Sequence, residues 1–313
     1  MKKKALIFGI TGQDGAYLAN LLLKKKYQVH GVSRGKNFVN LDKLNILKNV
    51  KIHILKKNNN VKKINRILNH TFNEIYFCGG QSNVKESFFK MEYQTYESQI
   101  LPIQTILEFI RKSKKKIKFL YSSSSEIFGY KNKKKLKEED NKTPLSPYAL
   151  AKLAGYEIVK SYREMFKLPV FSIILFNHES PLRKNTYVIK KIVSETNKIK
   201  LGKTKKILLG NINIKRDWGW APEYVEGFYK AMKSSETKDY IIATGKTISL
   251  KKVIKIVFKK YNLNWKKHVG YSKKNFRKHD IKENYADISL IKKKLKWSPK
   301  YKIYHIINNI NRQ

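Results

Sequence analysis

The chain has 313 residues, enough for one large α/β domain or a domain with a smaller lobe, and its 41% hydrophobic and 12% aromatic content excludes a disordered polymer. Its formal charge of +45, from 68 Lys and Arg against 23 Asp and Glu, raises the question of a nucleic-acid partner, but the lysines are spread along the whole chain ("LLLKKKYQ", "RKSKKKIK", "LIKKKLKW"), and Asn and Ile are abundant too, so the excess reads as compositional and a polynucleotide role is not expected. One cysteine, Cys78, leaves no intrachain disulfide or thiolate cluster, no stretch approaches the ~20 apolar residues of a membrane span, and the apolar run in "MKKKALIFGITG" is too short for a signal-peptide core, so a cytoplasmic protein is expected.

Ala5 to Phe8 is a short continuous apolar run of the kind that forms a buried strand. Gly9, Gly12 and Gly15 follow at GxxGxxG spacing, Tyr17, Leu18, Leu21 and Leu22 recur at helical period, and Gln28 to Val32 forms a second strand. This βαβ context gives the glycines their meaning: they permit a tight turn and let a pyrophosphate reach a helix N-terminus, where free N–H groups and the dipole favour negative charge. Gly9, Gly12, Gln13, Asp14 and Gly15 are the expected dinucleotide turn. At the end of the second strand an acid would accept the ribose hydroxyls of NAD, whereas Ser33, Arg34 and Lys36 stand there. The cations point to NADP, with Arg34 and Lys36 at its extra phosphate, and leave NAD open.

Further strands are expected at Lys51 to Leu55, Glu74 to Cys78, Ile117 to Tyr121 and Val170 to Leu175, with helices such as Leu101 to Arg111 between them. Alternation of this kind predicts a Rossmann-type doubly wound parallel sheet over residues 1–176, with ligands beyond the carboxyl ends of the strands. Gly79, Gly80, Gln81 and Ser82 lie at one such end. At another, "KIKFLYSSSSEIFG" (Lys116 to Gly129) carries four serines and then Glu126. An isolated acid there would be read as facing water; at a cleft mouth it becomes a candidate for chemistry.

In "TPLSPYALAKLAGYEIV", Pro144 and Pro147 precede a helix in which Lys152 lies one turn beyond Tyr148 on the same face. A free tyrosine has a pKa near ~10, and lowering it by about three units means stabilising phenolate by roughly 4 kcal/mol. A nearby ammonium and the positive ring of an oxidised nicotinamide could supply that.

At these residues the chain resembles the extended short-chain dehydrogenase/reductase superfamily, and within it the GDP-mannose 4,6-dehydratases. The resemblance spans almost the whole length, through "GITGQDGAYLA", "EIYFCGGQSNV", "SSSSEIFG", "SPYALAKL", "ILFNHESPLR", "LLGNINIKRDWGWAPEYVE" and "NFRKHDIKENYADISLIKKKLKWSP"; "FNHESP" and "LGN…KRDWG" are its more specific parts. It implies a nucleotide-sugar lyase with a Rossmann domain completed by part of 214–244, and a smaller α/β C-terminal lobe, mainly 177–313, that holds a GDP-sugar. It also implies that Tyr148 takes the proton of the sugar O4 while hydride leaves C4, that Lys152 lowers the tyrosine pKa and holds the nicotinamide ribose, that Ser124 bonds O4, and that Glu126 removes the C5 proton and helps expel the C6 hydroxyl. By the same resemblance Gln81 serves the cofactor, while Ser82, Asn177, Glu179, Arg183, Arg216 and Arg277 serve the sugar and phosphates. A carboxylate that takes a carbon-bound proton works best desolvated, which suits an acid beside Ile127 and Phe128.

His178 is expected to be a satisfied packing histidine, and Trp218 and Trp220 core residues. The seven histidines show no i, i+4 pairing, and no metal site is expected. The chain departs from the family at Lys56 and Lys57, where Asp-Leu is usual near the adenine, at Gly35, usually arginine, and at Gly79 and Gly80, usually alanines. A homodimer or homotetramer is implied. The competing readings are a GDP-hexose or GDP-heptose 4-dehydrogenase, reductase or epimerase, which would have no need of Glu126, and a basic polynucleotide-binding protein.

Overall fold

The structure, a computed structural model, describes residues 2–56, 60–89, 91–130, 135–276 and 280–312. Its strands are β1 (Lys4–Phe8), β2 (Gln28–Ser33), β3 (Val50–Ile54), β4 (Glu74–Phe77), β5 (Lys118–Ser124), β6 (Val170–Leu175), β7 (Asn177–Glu179), β8 (Ile207–Leu209), β9 (Lys215–Trp220), β10 (Tyr240–Ile242), β11 (Thr247–Ser249) and β12 (Val269–Tyr271). Seven of them form one sheet in the order β10-β6-β5-β4-β1-β2-β3, with every neighbouring pair parallel. β1 sits at its centre because Ala5, Leu6 and Ile7 are apolar on both faces and fully buried. Helices cover both sides. This is the doubly wound α/β fold expected from the alternation of strands and helices.

Chain order reverses around β1, which has β2 on one side and β4 on the other, and a crevice opens beyond the carboxyl ends at such a switch point. The turn after β1 depends on Gly9: its φ is +81°, and a Cβ there would come within 2.6 Å of the Gly79 Cα.

β5 is longer than expected. The apolar run stops at Tyr121, yet Ser122, Ser123 and Ser124 continue the ladder opposite Ile173, Ile174 and Leu175. Their hydroxyls find partners inside the fold: Ser122 donates to the Phe77 carbonyl at 2.9 Å and Ser123 to the Lys152 carbonyl at 3.4 Å.

Beyond β6 the chain builds two small sheets, β11-β9-β7 and β12-β8. One hydrophobic cluster follows the large sheet and takes in Tyr224, Phe228, Tyr240 to Ala243, Ile291, Leu295 and Trp297 from the later part of the chain. A second gathers Ile189, Ile192, Trp218, Trp220, Val253, Val257 and Ile306. Both tryptophans are therefore packing residues, as expected.

The histidines are less scattered than their spacing suggests. Parallel pairing of β2 with β3 sets His53 opposite Val32, on the face that also carries His30. The His30 ring lies 5.3 Å from His53 and 6.0 Å from His70, which is 5.4 Å from His53. Among the described residues no group of His, Cys, Asp or Glu could hold a metal ion, and no helix is long and apolar enough to cross a membrane.

Candidate active site

A cavity of about 590 Å3 lies at the switch point. Of the residues singled out in the sequence, Gly9, Gly12, Gln13, Asp14, Arg34, Gln81, Ser82, Ser124, Glu126, Tyr148, Lys152, Asn177, Glu179, Arg183 and Arg216 all line it. Gly15 and Lys36 do not, and Arg277, with Lys57, lies outside the described residues. Gly15 is a packing residue: a Cβ there would meet the Gly9 carbonyl oxygen at 2.3 Å, so the glycine lets the helix Gln13–Lys24 close onto the turn. Lys36 is exposed, in the turn beyond β2 where the Ser33 hydroxyl donates to the Gly35 carbonyl at 2.7 Å. Lys56 is exposed.

The floor fits a dinucleotide on two observations. The helix Gln13–Lys24 begins at Gly12 with no side-chain cap, so the N–H groups of its first turn face the cavity, where a pyrophosphate would satisfy them. Deeper in, Gln81 is buried with its Oε1 lacking a hydrogen-bond partner among the described residues, an acceptor for a cofactor donor.

The side chains of Gln13 and Asp14 turn toward the segment after β6. Gln13 Oε1 accepts from the Ser180 hydroxyl at 2.7 Å, and the His178 ring bonds Asp14 Oδ1 at 2.8 Å and the Phe176 carbonyl at 2.7 Å. Burial opposes the Asp14 charge, yet His178, Arg183 and Gln13 outweigh it and bring its pKa down to about 2. His178 is a partnered packing residue, its ring centre 4.6 Å from that of Tyr224 and tilted to it.

The chemical wall comes from β5 and the helix Pro147–Phe166. Ser146 caps that helix by accepting from the Ala149 N–H at 3.0 Å, with Pro147 in its first turn, which sets Tyr148 and Lys152 on one buried face. Burial pushes the Tyr148 phenol up; the nearby Ser124 hydroxyl and the charge of Arg183 pull the other way, while Tyr187 and Glu126 add to the rise. Lys152 lies one turn on from Tyr148 on that face. Its ammonium donates to the Ser122 carbonyl at 2.8 Å, and burial brings it down to about 8 against the opposing influence of Cys78 and Asp14. The phenol thus stands above its ordinary range here, with Ser124 and Arg183 the groups that draw it down.

Beyond Ser124 a short 3-10 turn, Ser125–Phe128, presents Glu126, with Ile127 and Phe128 fully buried beneath it. The Glu126 N–H donates to the Ser124 hydroxyl at 3.3 Å. Glu126 is half-buried at the cavity wall, more open than the desolvated acid expected from its apolar neighbours.

Facing this wall, Glu179 and Arg183 approach at 3.6 Å, and neither Glu179 Oε2 nor Arg183 Nε has a hydrogen-bond partner among the described residues. Arg216 is buried, paired with Asp280 at 2.9 Å and donating to the Lys215 and Ile281 carbonyls. Among the lining residues that escaped the sequence reading are Asn40, which donates to the Thr11 carbonyl at 2.9 Å, Tyr187, and Lys191, which donates to the Leu208 carbonyl at 2.9 Å. The i, i+4 spacing of Tyr187 and Lys191 in "TYVIKK" was the available signal.

The sequence profile of the family described as GDP-mannose 4,6 dehydratase matches residues 6–310. The chain belongs to that family. Among relatives in the GDP-mannose 4,6 dehydratase family, the Arabidopsis thaliana protein named GDP-mannose 4,6 dehydratase 1 is 35% identical, over 96% of this chain and 86% of its own. The Homo sapiens GDP-mannose 4,6 dehydratase is 35% identical over 95% and 87%. In fold the chain is similar to the dTDP-glucose 4,6-dehydratase of Bacillus anthracis, solved in complex with NAD, with a TM-score of 0.83 at 18% identity over 99% of this chain and 94% of that one.

Proposed function

We propose that the protein is a GDP-mannose 4,6-dehydratase, converting GDP-mannose to GDP-4-keto-6-deoxymannose with loss of one water. One observation carries this reading: Tyr148, Ser124 and Glu126 line the same cavity as the uncapped helix at Gly12. A nicotinamide cofactor, when bound, supplies the acceptor for the C4 hydride and its return to C6. Tyr148 removes the O4 proton, and the nearby Ser124 hydroxyl donates to the phenolate as it forms. Lys152 holds the nicotinamide ribose. Once C4 is a ketone the C5 hydrogen is acidic; Glu126 takes it and hands a proton to the departing C6 hydroxyl. The proton kept by Tyr148 balances the one that C5 regains.

The cofactor is NADP on this reading. Ser33, Arg34, Gly35 and Lys36 follow the body of β2 without an acid, and Arg34 reaches the cavity. Asn177, Glu179, Arg183 and Arg216, with Ser82, hold the sugar and diphosphate, residues 177–313 serve mainly as the substrate lobe, and the protein works in the cytoplasm as a homodimer or homotetramer. Mass spectrometry after incubation with GDP-mannose and, separately, dTDP-glucose tests the assignment. Loss of one water from GDP-mannose supports it. Loss of two hydrogens, or no change, overturns it.

A further inference from the structure

Ser82, in the loop after β4, and Tyr187, which opens the helix Val188–Lys200, meet across the cavity with their hydroxyl oxygens 2.9 Å apart. No water fits between oxygens at that separation. Both residues line the cavity together with Tyr148 and Glu126. Each side of the contact is supported. The Gln81 N–H donates to the Ser98 hydroxyl at 3.0 Å and the Tyr148 N–H to the Ser87 hydroxyl at 3.2 Å, tying the Ser82 loop to the catalytic helix. On the other side the Arg183 guanidinium lies 3.5 Å from the Tyr187 ring centre. Tyr187 and Arg183 are both near enough to influence the Tyr148 phenol.

We propose that Ser82 and Tyr187 form a clasp joining the two walls of the cavity, and that the clasp, stacked on Arg183, holds the substrate arm closed over the sugar beside Tyr148 and Glu126. This rests on the dehydratase reading for its substrate. Tyr187 is then a positioning residue, acting through closure of the arm.

The test compares Tyr187→Phe, which keeps the ring for Arg183, with Ser82→Ala and the double variant. Each single change should raise KM for GDP-mannose about 3- to 10-fold, the worth of one hydrogen bond, with kcat changed less. The double variant should be no worse than the worse single. Without substrate, amide hydrogen exchange should quicken together in segments 80–84 and 185–189 in either single variant. Unchanged exchange with unchanged KM, or losses that multiply in the double variant, would overturn the clasp. If the wild-type protein releases no water from GDP-mannose, the dehydratase reading fails, while the exchange measurement still decides whether the clasp exists.

Discussion

The Ser124 hydroxyl accepts the Glu126 N–H at 3.3 Å and also lies near enough to influence the Tyr148 phenol, so the acid on the 3-10 turn and the phenol on the helix share one small neighbour. On the proposed mechanism this sets two proton-transfer groups at one strand end. It also separates their tests, because on that mechanism Ser124 would act on the phenolate directly and on Glu126 only by position.

Ser124→Ala should slow C4 oxidation by about 10- to 100-fold, the worth of a hydrogen bond to a charged group. The sign of the pH effect follows from the proposed donation: a donor to phenolate lowers the tyrosine pKa, so removing it raises that pKa and moves the rising limb of the kcat/KM profile to higher pH. A pH-rate profile reads this; a slower variant with an unmoved limb would give Ser124 a packing role alone.

Arg34→Ala should weaken NADP by about 10- to 100-fold and leave NAD within about threefold, since the guanidinium can pair only with the extra phosphate. Calorimetric titration with each cofactor checks it. Equal weakening of both would move Arg34 to the adenine or the fold.

The His30, His53 and His70 cluster should make the β2–β3 edge acid-sensitive. Burial brings His30 from 6.5 down to about 4, reinforced by His53, Lys51, His70 and Lys4, and burial with His70 and Lys51 lowers His53 as well. A histidine whose folded pKa is depressed contributes stability that is present above its unfolded value and lost as pH falls, here from about 6.5 through about 4. Tm measured across that window should fall with pH in the wild type and fall less steeply in His30→Phe. Parallel slopes would remove the cluster as the cause.

The central sheet was legible because strands buried on both faces are continuous apolar runs, and β1 and β6 are of that kind. β5 was misjudged at its end because serines look like a loop until their hydroxyls are seen to bond Phe77 and Lys152. The glycine turn and the Tyr148–Lys152 pair were readable from local spacing. Relationships that depend on register or on distant chain were not: His30 meets His53 only through parallel pairing, and Ser82 meets Tyr187 across 105 positions. Lys36 does not line the cavity, and residue order alone does not say which way the chain turns after a strand.

The most direct measurement uses Glu126→Gln with GDP-mannose deuterated at C4. The variant should still transfer deuteride to the nicotinamide, while release of water falls about 10²- to 10⁴-fold, the usual worth of a general acid–base group. Equal loss of deuteride transfer and water release, or water release that survives, would contradict the assignment of Glu126 to the C5 proton.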